Sequence, residues 1–115
     1  MPKHIEVKEV GNVTVVACTD DRIVDELLIH EWSRELLQLV EEEGCTKMVI
    51  NFLKVSFMGS AAIGFLNTLN KKLAEKDGKL ALCCIIPQIW KAFEIIGFDK
   101  KFKMYTSEID ALREL

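Results

Sequence analysis

Ser60 is the residue best placed to carry chemistry in this sequence. It lies within Met48 to Gly64, MVINFLKVSFMGSAAIG, which opens as an apolar run rich in Val, Ile and Phe. A strand covered on both faces reads this way. The run ends in Met58-Gly59-Ser60-Ala61-Ala62-Ile63-Gly64, where the period turns helical. The spacing therefore predicts a small hydroxyl at a strand-to-helix junction, at or within a residue of the helix N-cap. First-turn N–H groups there have no intrahelical partner and favour negative charge. A phosphate adds about −1.5 to −2 charge and three acceptor oxygens. The amides and the positive end of the helix dipole would accommodate it, so the domain would stay folded and the effect would fall on a binding surface. The plainer alternative is a serine that only caps its helix, contributing ~1 kcal/mol.

The residue types needed for other chemistry are badly spaced. A serine-hydrolase elbow needs glycine two residues before and two after its serine; Met58 and Ala62 occupy those positions. The two histidines, His4 and His30, fall on an early strand and an early helix. Neither belongs to an HxxxH or a carboxylate cluster with ligand spacing, so no metal is expected. No Gly-rich phosphate cradle occurs, no cofactor is implied, and the chain is not expected to be an enzyme. Cys18, Cys45, Cys83 and Cys84 show no C-x-x-C spacing; they read as reduced thiols acting as small core hydrophobes. Thr19-Asp20-Asp21-Arg22 could bind a cation or anchor a partner, although such residues also make solvated turns. Trp90 and Phe93 could be a partner anchor, but their helical spacing suits a core face.

The 115 residues, half of them apolar, allow one compact domain spanning 1–115. The net charge is −3 and no Lys/Arg cluster exceeds two adjacent residues. Neither a nucleic-acid surface nor an anionic-membrane surface is expected. No apolar run approaches the ~18 residues of a transmembrane helix. The first residues, Met-Pro-Lys-His-Ile-Glu-Val-Lys-Glu, lack the apolar centre of a signal peptide, so the expected location is the cytoplasm.

The elements that must hold Ser60 are legible from periodicity. Ile5 to Val10 alternates as an edge strand, Gly11-Asn12 turns, and Val13 to Cys18 returns to make a hairpin. Asp25 to Glu43 is a helix with Leu28, Trp32, Leu36, Leu39 and Val40 as its apolar stripe, ended by Gly44. Its Glu41-Glu42-Glu43 is a solubilising run at the end the dipole disfavours. Lys47 to Phe52 is the central strand; Ser60 to Lys76 is a helix with Ile63, Leu66, Leu69 and Leu73 inward, closed by Asp77-Gly78. Leu80 to Ile86 is a buried strand, and Pro87 opens a helix with Ile89, Trp90, Phe93 and Ile96 inward. Phe98 to Tyr105 contains the last strand, and Ser107 caps a terminal helix carrying Ile109, Leu112 and Leu115. The order β-β-α-β-α-β-α-β-α implies an α/β fold: a mostly parallel sheet, an antiparallel N-terminal edge hairpin and about four helices.

This order, the strand ending in Val55-Ser56-Phe57-Met58, and Ser60 opening a helix that continues Ala61-Ala62-Ile63-Gly64 resemble a STAS domain. Within that class the chain is most similar to the anti-sigma factor antagonists (anti-anti-sigma factors). The resemblance covers essentially the whole chain, including the Gly78-to-Pro87 strand and the FEIIGF segment from Phe93 to Phe98. The family's switch reads Asp-Ser-Ser/Thr-Gly-Leu-Gly, its first serine being phosphorylated by a partner that is both anti-sigma factor and kinase. Ser60 matches that serine, Ile63 the leucine and Gly64 the last glycine; Gly59 replaces the aspartate, Ala61 the second hydroxyl residue and Ala62 the glycine. The Thr19-to-Glu26 loop is also longer than the family's Gly-x-Leu-Asp turn.

The resemblance implies a bacterial signalling module that regulates transcription by partner switching, Ser60 being the phosphoacceptor. It implies an anti-sigma factor/serine kinase as partner, contacted through Thr19, Asp20, Asp21, Met58, Gly59, Ala61 and Ile63. A phosphatase would be a further partner, and the protein would be a monomer or weak homodimer. The alternative within the class is a phosphorylation-independent scaffold, or a sensor of a small ligand such as a nucleotide or lipid.

Overall fold

A computed structural model of the chain describes residues 2–115. Its strands are β1 (Ile5–Val10), β2 (Val13–Cys18), β3 (Arg22–Ile23), β4 (Lys47–Asn51), β5 (Phe57–Met58), β6 (Lys79–Cys83) and β7 (Lys103–Tyr105). Its helices are α1 (Glu26–Glu41), α2 (Ser60–Ala74), α3 (Pro87–Ile95), α4 (Phe98–Lys101) and α5 (Glu108–Glu114). Five strands form one sheet in the order β1-β2-β4-β6-β7, antiparallel only between β1 and β2. The α/β architecture expected from the alternation of strand and helix patterns is the one observed. Buried positions run continuously along β4 and β6, as strands with both faces covered require.

The larger core cluster joins one sheet face, through Val16, Cys18, Met48, Ile50 and Leu82, to Trp32 and Leu36 of α1, Leu66, Leu69 and Leu73 of α2, and Phe93 of α3. On the other face α5 closes a smaller cluster of Val13, Val15, Val49, Ala81 and Cys83 with Ala111. No helix among the described residues is long and apolar enough to cross a membrane. Nor do they contain a group of three or more His, Cys, Asp or Glu side chains able to hold a metal ion.

Several expected details are corrected. In β1, the edge strand of the sheet, only Ile5 is buried; Val7 and Val10 are exposed. Strand β6 stops at Cys83 because Cys84 takes a left-handed conformation, φ 59°, which no strand continues through. Cys84 is half-buried, while Cys18, Cys45 and Cys83 are buried, and all four are free. Phe98–Lys101 forms the short helix α4 ahead of the last strand, because left-handed Gly97 turns the chain and places Phe98 and Phe102 together in the core. Ile96 is exposed rather than inward; on α5, Ile109 is exposed and Ala111 makes the buried contact. Phe93 is core, whereas Trp90 is only half-buried.

Candidate functional site

Two two-residue strands build the site outside the main sheet. β3 pairs in parallel with β5, Arg22 opposite Phe57 and Ile23 opposite Met58. The Asp21 carbonyl accepts the N–H groups of Ser56 (2.8 Å) and Phe57 (3.3 Å) and the Ser56 hydroxyl (3.2 Å). The Ile23 carbonyl accepts the Gly59 N–H at 2.9 Å. Thr19 to Ile23 is thus a strap laid along the turn that leads into α2. Beyond it Asp25 caps α1, its carboxylate accepting the Leu28 N–H at 3.0 Å.

Gly59, not Ser60, is the N-cap of α2, and no side chain caps the helix. Ser60 is the first helical residue and is exposed, as is Ala61. The capping role weighed for Ser60 is therefore absent. The hydroxyl stands at the positive end of a 15-residue helix whose first-turn amides no side chain occupies. Ala62, where the family has glycine, is fully buried, and Ile63 is half-buried. Met58 is buried, anchoring the turn from below, so of the expected contact residues it presents the least surface.

A largely apolar groove adjoins the turn that precedes Ser60. It measures about 410 Å³, runs between the turn and α3, and is lined by Phe57, Met58, Ile63, Ile89 and Ala92 together with the polar Ser56 and Gln88. Val24 and Phe57 are exposed, as are Leu27 at 64% and Leu53 at 69%. The Arg22 guanidinium lies 4.8 Å from the centre of the Phe57 ring, a cation–π contact that holds the ring at the surface. Sequence reasoning weighed Arg22 only as part of the Thr19–Arg22 loop and missed Val24, Leu27, Leu53 and Phe57 as exposed apolar residues. Large apolar residues in or beside polar loop segments were the available signal.

Thr19 and Asp20 face the N-terminal segment rather than Ser60. The Thr19 N–H donates to the His4 carbonyl at 3.1 Å. The His4 ring bridges Asp20, 2.7 Å from Nδ1, and Glu31, 3.0 Å from Nε2. Burial, the largest single influence on His4, lowers its pKa; the bonds and charges of Glu31 and Asp20 outweigh it and leave the pKa raised. The hydrogen bond from His4 in turn holds the Glu31 carboxyl below its ordinary value. The Cys18 thiol is pushed up to about 12 by burial and stays protonated.

A family model described as "STAS domain" matches residues 4–111. The "Anti-sigma F factor antagonist" of Paenibacillus polymyxa is 25% identical over 118 aligned residues, covering all of this chain and 97% of that protein. An anti-sigma-factor antagonist (STAS) domain protein from Planctomyces limnophilus superposes with a TM-score of 0.86 at 24% identity, over 96% of each chain. The Bacillus cell fate determinant SpoIIAA in its phosphorylated form superposes with a TM-score of 0.74 at 18% identity, over 96% of this chain and 97% of that one.

Proposed function

The chain belongs to the STAS domain family, and from that premise we propose that it is an anti-sigma factor antagonist-like binding module with Ser60 as phosphoacceptor. The observation that carries the reading is the exposed Ser60 hydroxyl at the first position of α2, engaged in no capping bond and following closely on Phe57 and Met58 of the groove lining. The partner would be an anti-sigma factor that is also a serine kinase. It would dock on the end of the domain formed by Asp21, Phe57, Gly59, Ala61 and Ile63, freeing a sigma factor. The partner is the catalyst in this scheme and Ser60 the substrate. Support comes from a relative named for antagonism of an anti-sigma factor and from a fold shared with a regulator known in a phosphorylated form.

Phosphorylation would reverse binding without unfolding the domain. The phosphate would meet the free first-turn amides and the helix dipole within its own chain. At the interface the same two charges must be desolvated against Phe57 and Ile63. A mismatch of ~1.4 kcal/mol already weakens a complex tenfold.

The test is mass spectrometry of the protein after incubation with ATP and lysate from its own host, with Ser60→Ala alongside. A phosphate mapping to Ser60 in wild type and missing from the variant is the expected result. A partner captured with no modification would overturn the switch and leave a phosphorylation-independent module.

A further inference from the structure

We propose that His4, held as an imidazolium between Asp20 and Glu31, is a positioning residue for the Ser60 site, pinning the strap to α1 and releasing it when the ring loses a proton. The proposal rests on the functional reading only for its consequence; the coupling itself is a matter of geometry. Both ring nitrogens lie within hydrogen-bonding distance of a carboxylate oxygen, 2.7 Å for Asp20 and 3.0 Å for Glu31. Ionised carboxylates only accept, so both nitrogens must carry hydrogen. A neutral ring has one N–H and turns a lone pair toward one of the two carboxylates. The bridge as built therefore exists only in the charged form.

The surrounding groups add to the negative side. The Glu35 carboxylate accepts the backbone N–H groups of Lys3 (2.7 Å) and His4 (2.9 Å). The ammonium of Lys3, 3.9 Å from Glu31, is the nearby positive charge, with His30 acting on Glu31 at longer range. The thiol of Cys18 on β2 is uncharged. Asp20, Glu31 and Glu35 thus face His4 with Lys3 in partial compensation. Because the folded-state pKa of His4 lies above its ordinary 6.5, the clamp is complete below about pH 6.5 and is lost as pH rises through the elevated value.

The connection to Ser60 is short. Asp20 adjoins Asp21, whose carbonyl holds the Ser56 and Phe57 amides, and Ile23 holds the amide of Gly59, the N-cap before Ser60. Releasing Asp20 frees the outer end of this ladder while the core strands keep their partners. The strap would then open more often, and the surface around Ser60 would lose its single conformation.

Hydrogen-exchange protection factors read this directly, across a pH series that starts within the ordinary histidine range of about pH 5–8 and ends above it. In wild type, protection of the Ser56, Phe57 and Gly59 amides should fall roughly three- to tenfold relative to Val16 and Ile50 as His4 deprotonates, the worth of a partly exposed charge-assisted bond. His4→Gln should show the low protection at every pH, with Val16 and Ile50 unchanged. Asp20→Asn, which leaves the ring itself intact, should behave as His4→Gln does. Protection that stays flat with pH in wild type would overturn the proposal. So would strap and core amides falling together in both variants, since His4 would then act on the whole fold. No kinase or partner enters the measurement, so its failure is separate from failure of the Ser60 phosphorylation test.

Discussion

Replacing Gly59 with aspartate, the residue the family carries before its switch serine, should stabilise this domain. Gly59 has φ −74° and ψ 161°, an extended conformation that any residue adopts. A Cβ there would lie 3.6 Å from the Val24 Cα and 3.7 Å from the Ile23 carbonyl oxygen, ordinary van der Waals contact. Restricting the unfolded chain is worth about 0.4–1 kcal/mol at a compatible glycine. An aspartate N-cap adds a few tenths over glycine. Its charge at the helix start overlaps with that gain and is worth about 0.3–1 kcal/mol at an exposed site. The expected total is about 1 kcal/mol, which for a domain of this size raises Tm by roughly 3–5 °C. Urea unfolding at neutral pH measures it as a higher midpoint with an unchanged slope. A lower midpoint would refute the reasoning, because it would mean that the turn needs glycine for a close approach absent from the geometry described.

Gly78→Ala should have the opposite sign. A Cβ there would sit 2.2 Å from the Thr46 carbonyl oxygen and 2.9 Å from that of Leu73, both backbone atoms with hydrogen bonds of their own, so calorimetry should find a loss of about 2 kcal/mol or more. Trp32→Ala should cost ~3–5 kcal/mol in chemical unfolding, the side chain being fully buried. Trp32→Phe should cost distinctly less, because it also removes a buried indole N–H whose nearest acceptor among the described residues is at best the weak one of the Cys18 thiol. Ser60→Ala and Ser60→Asp should each leave stability within ~0.5 kcal/mol, since the hydroxyl makes no capping bond. Titration calorimetry with the captured partner should separate them: Ser60→Ala binding as wild type, Ser60→Asp at least about tenfold weaker.

Where a pattern was long and its faces unlike, the sequence was enough. The stripe Trp32, Leu36, Leu39 and Val40 on α1 and Leu66, Leu69 and Leu73 on α2 are buried where the helical period places them. The end of β6 was not legible, because LALCCII continues the apolar run while the chain itself turns at left-handed Cys84. Helix α4 was hidden because Phe98 and Phe102 suit a strand as well as a helical turn, and only the Gly97 geometry decides. Strands β3 and β5 are two residues each, too short for any period to register. In the candidate site, the change of period placed Ser60 at a strand-to-helix junction, where it is the first residue of α2, and the structure brings Asp21 to the same turn. The His4 bridge was out of reach, since its partners lie 16 and 27 residues away and nothing local marks them.

The smaller core cluster bears on how this chain is made. Val13, Val15, Val49, Ala81 and Cys83 obtain their cover from α5, which follows every strand of the sheet in chain order. The parallel pairs β2–β4, β4–β6 and β6–β7 are non-local contacts that form late and slowly. While α5 is undocked, paired strands leave one apolar face of the sheet open. During that interval neighbouring chains compete with α5 for the same surface. Substitutions at Ala111 should thus reduce soluble yield more than their effect on the finished fold suggests, and co-expressed chaperones should restore it.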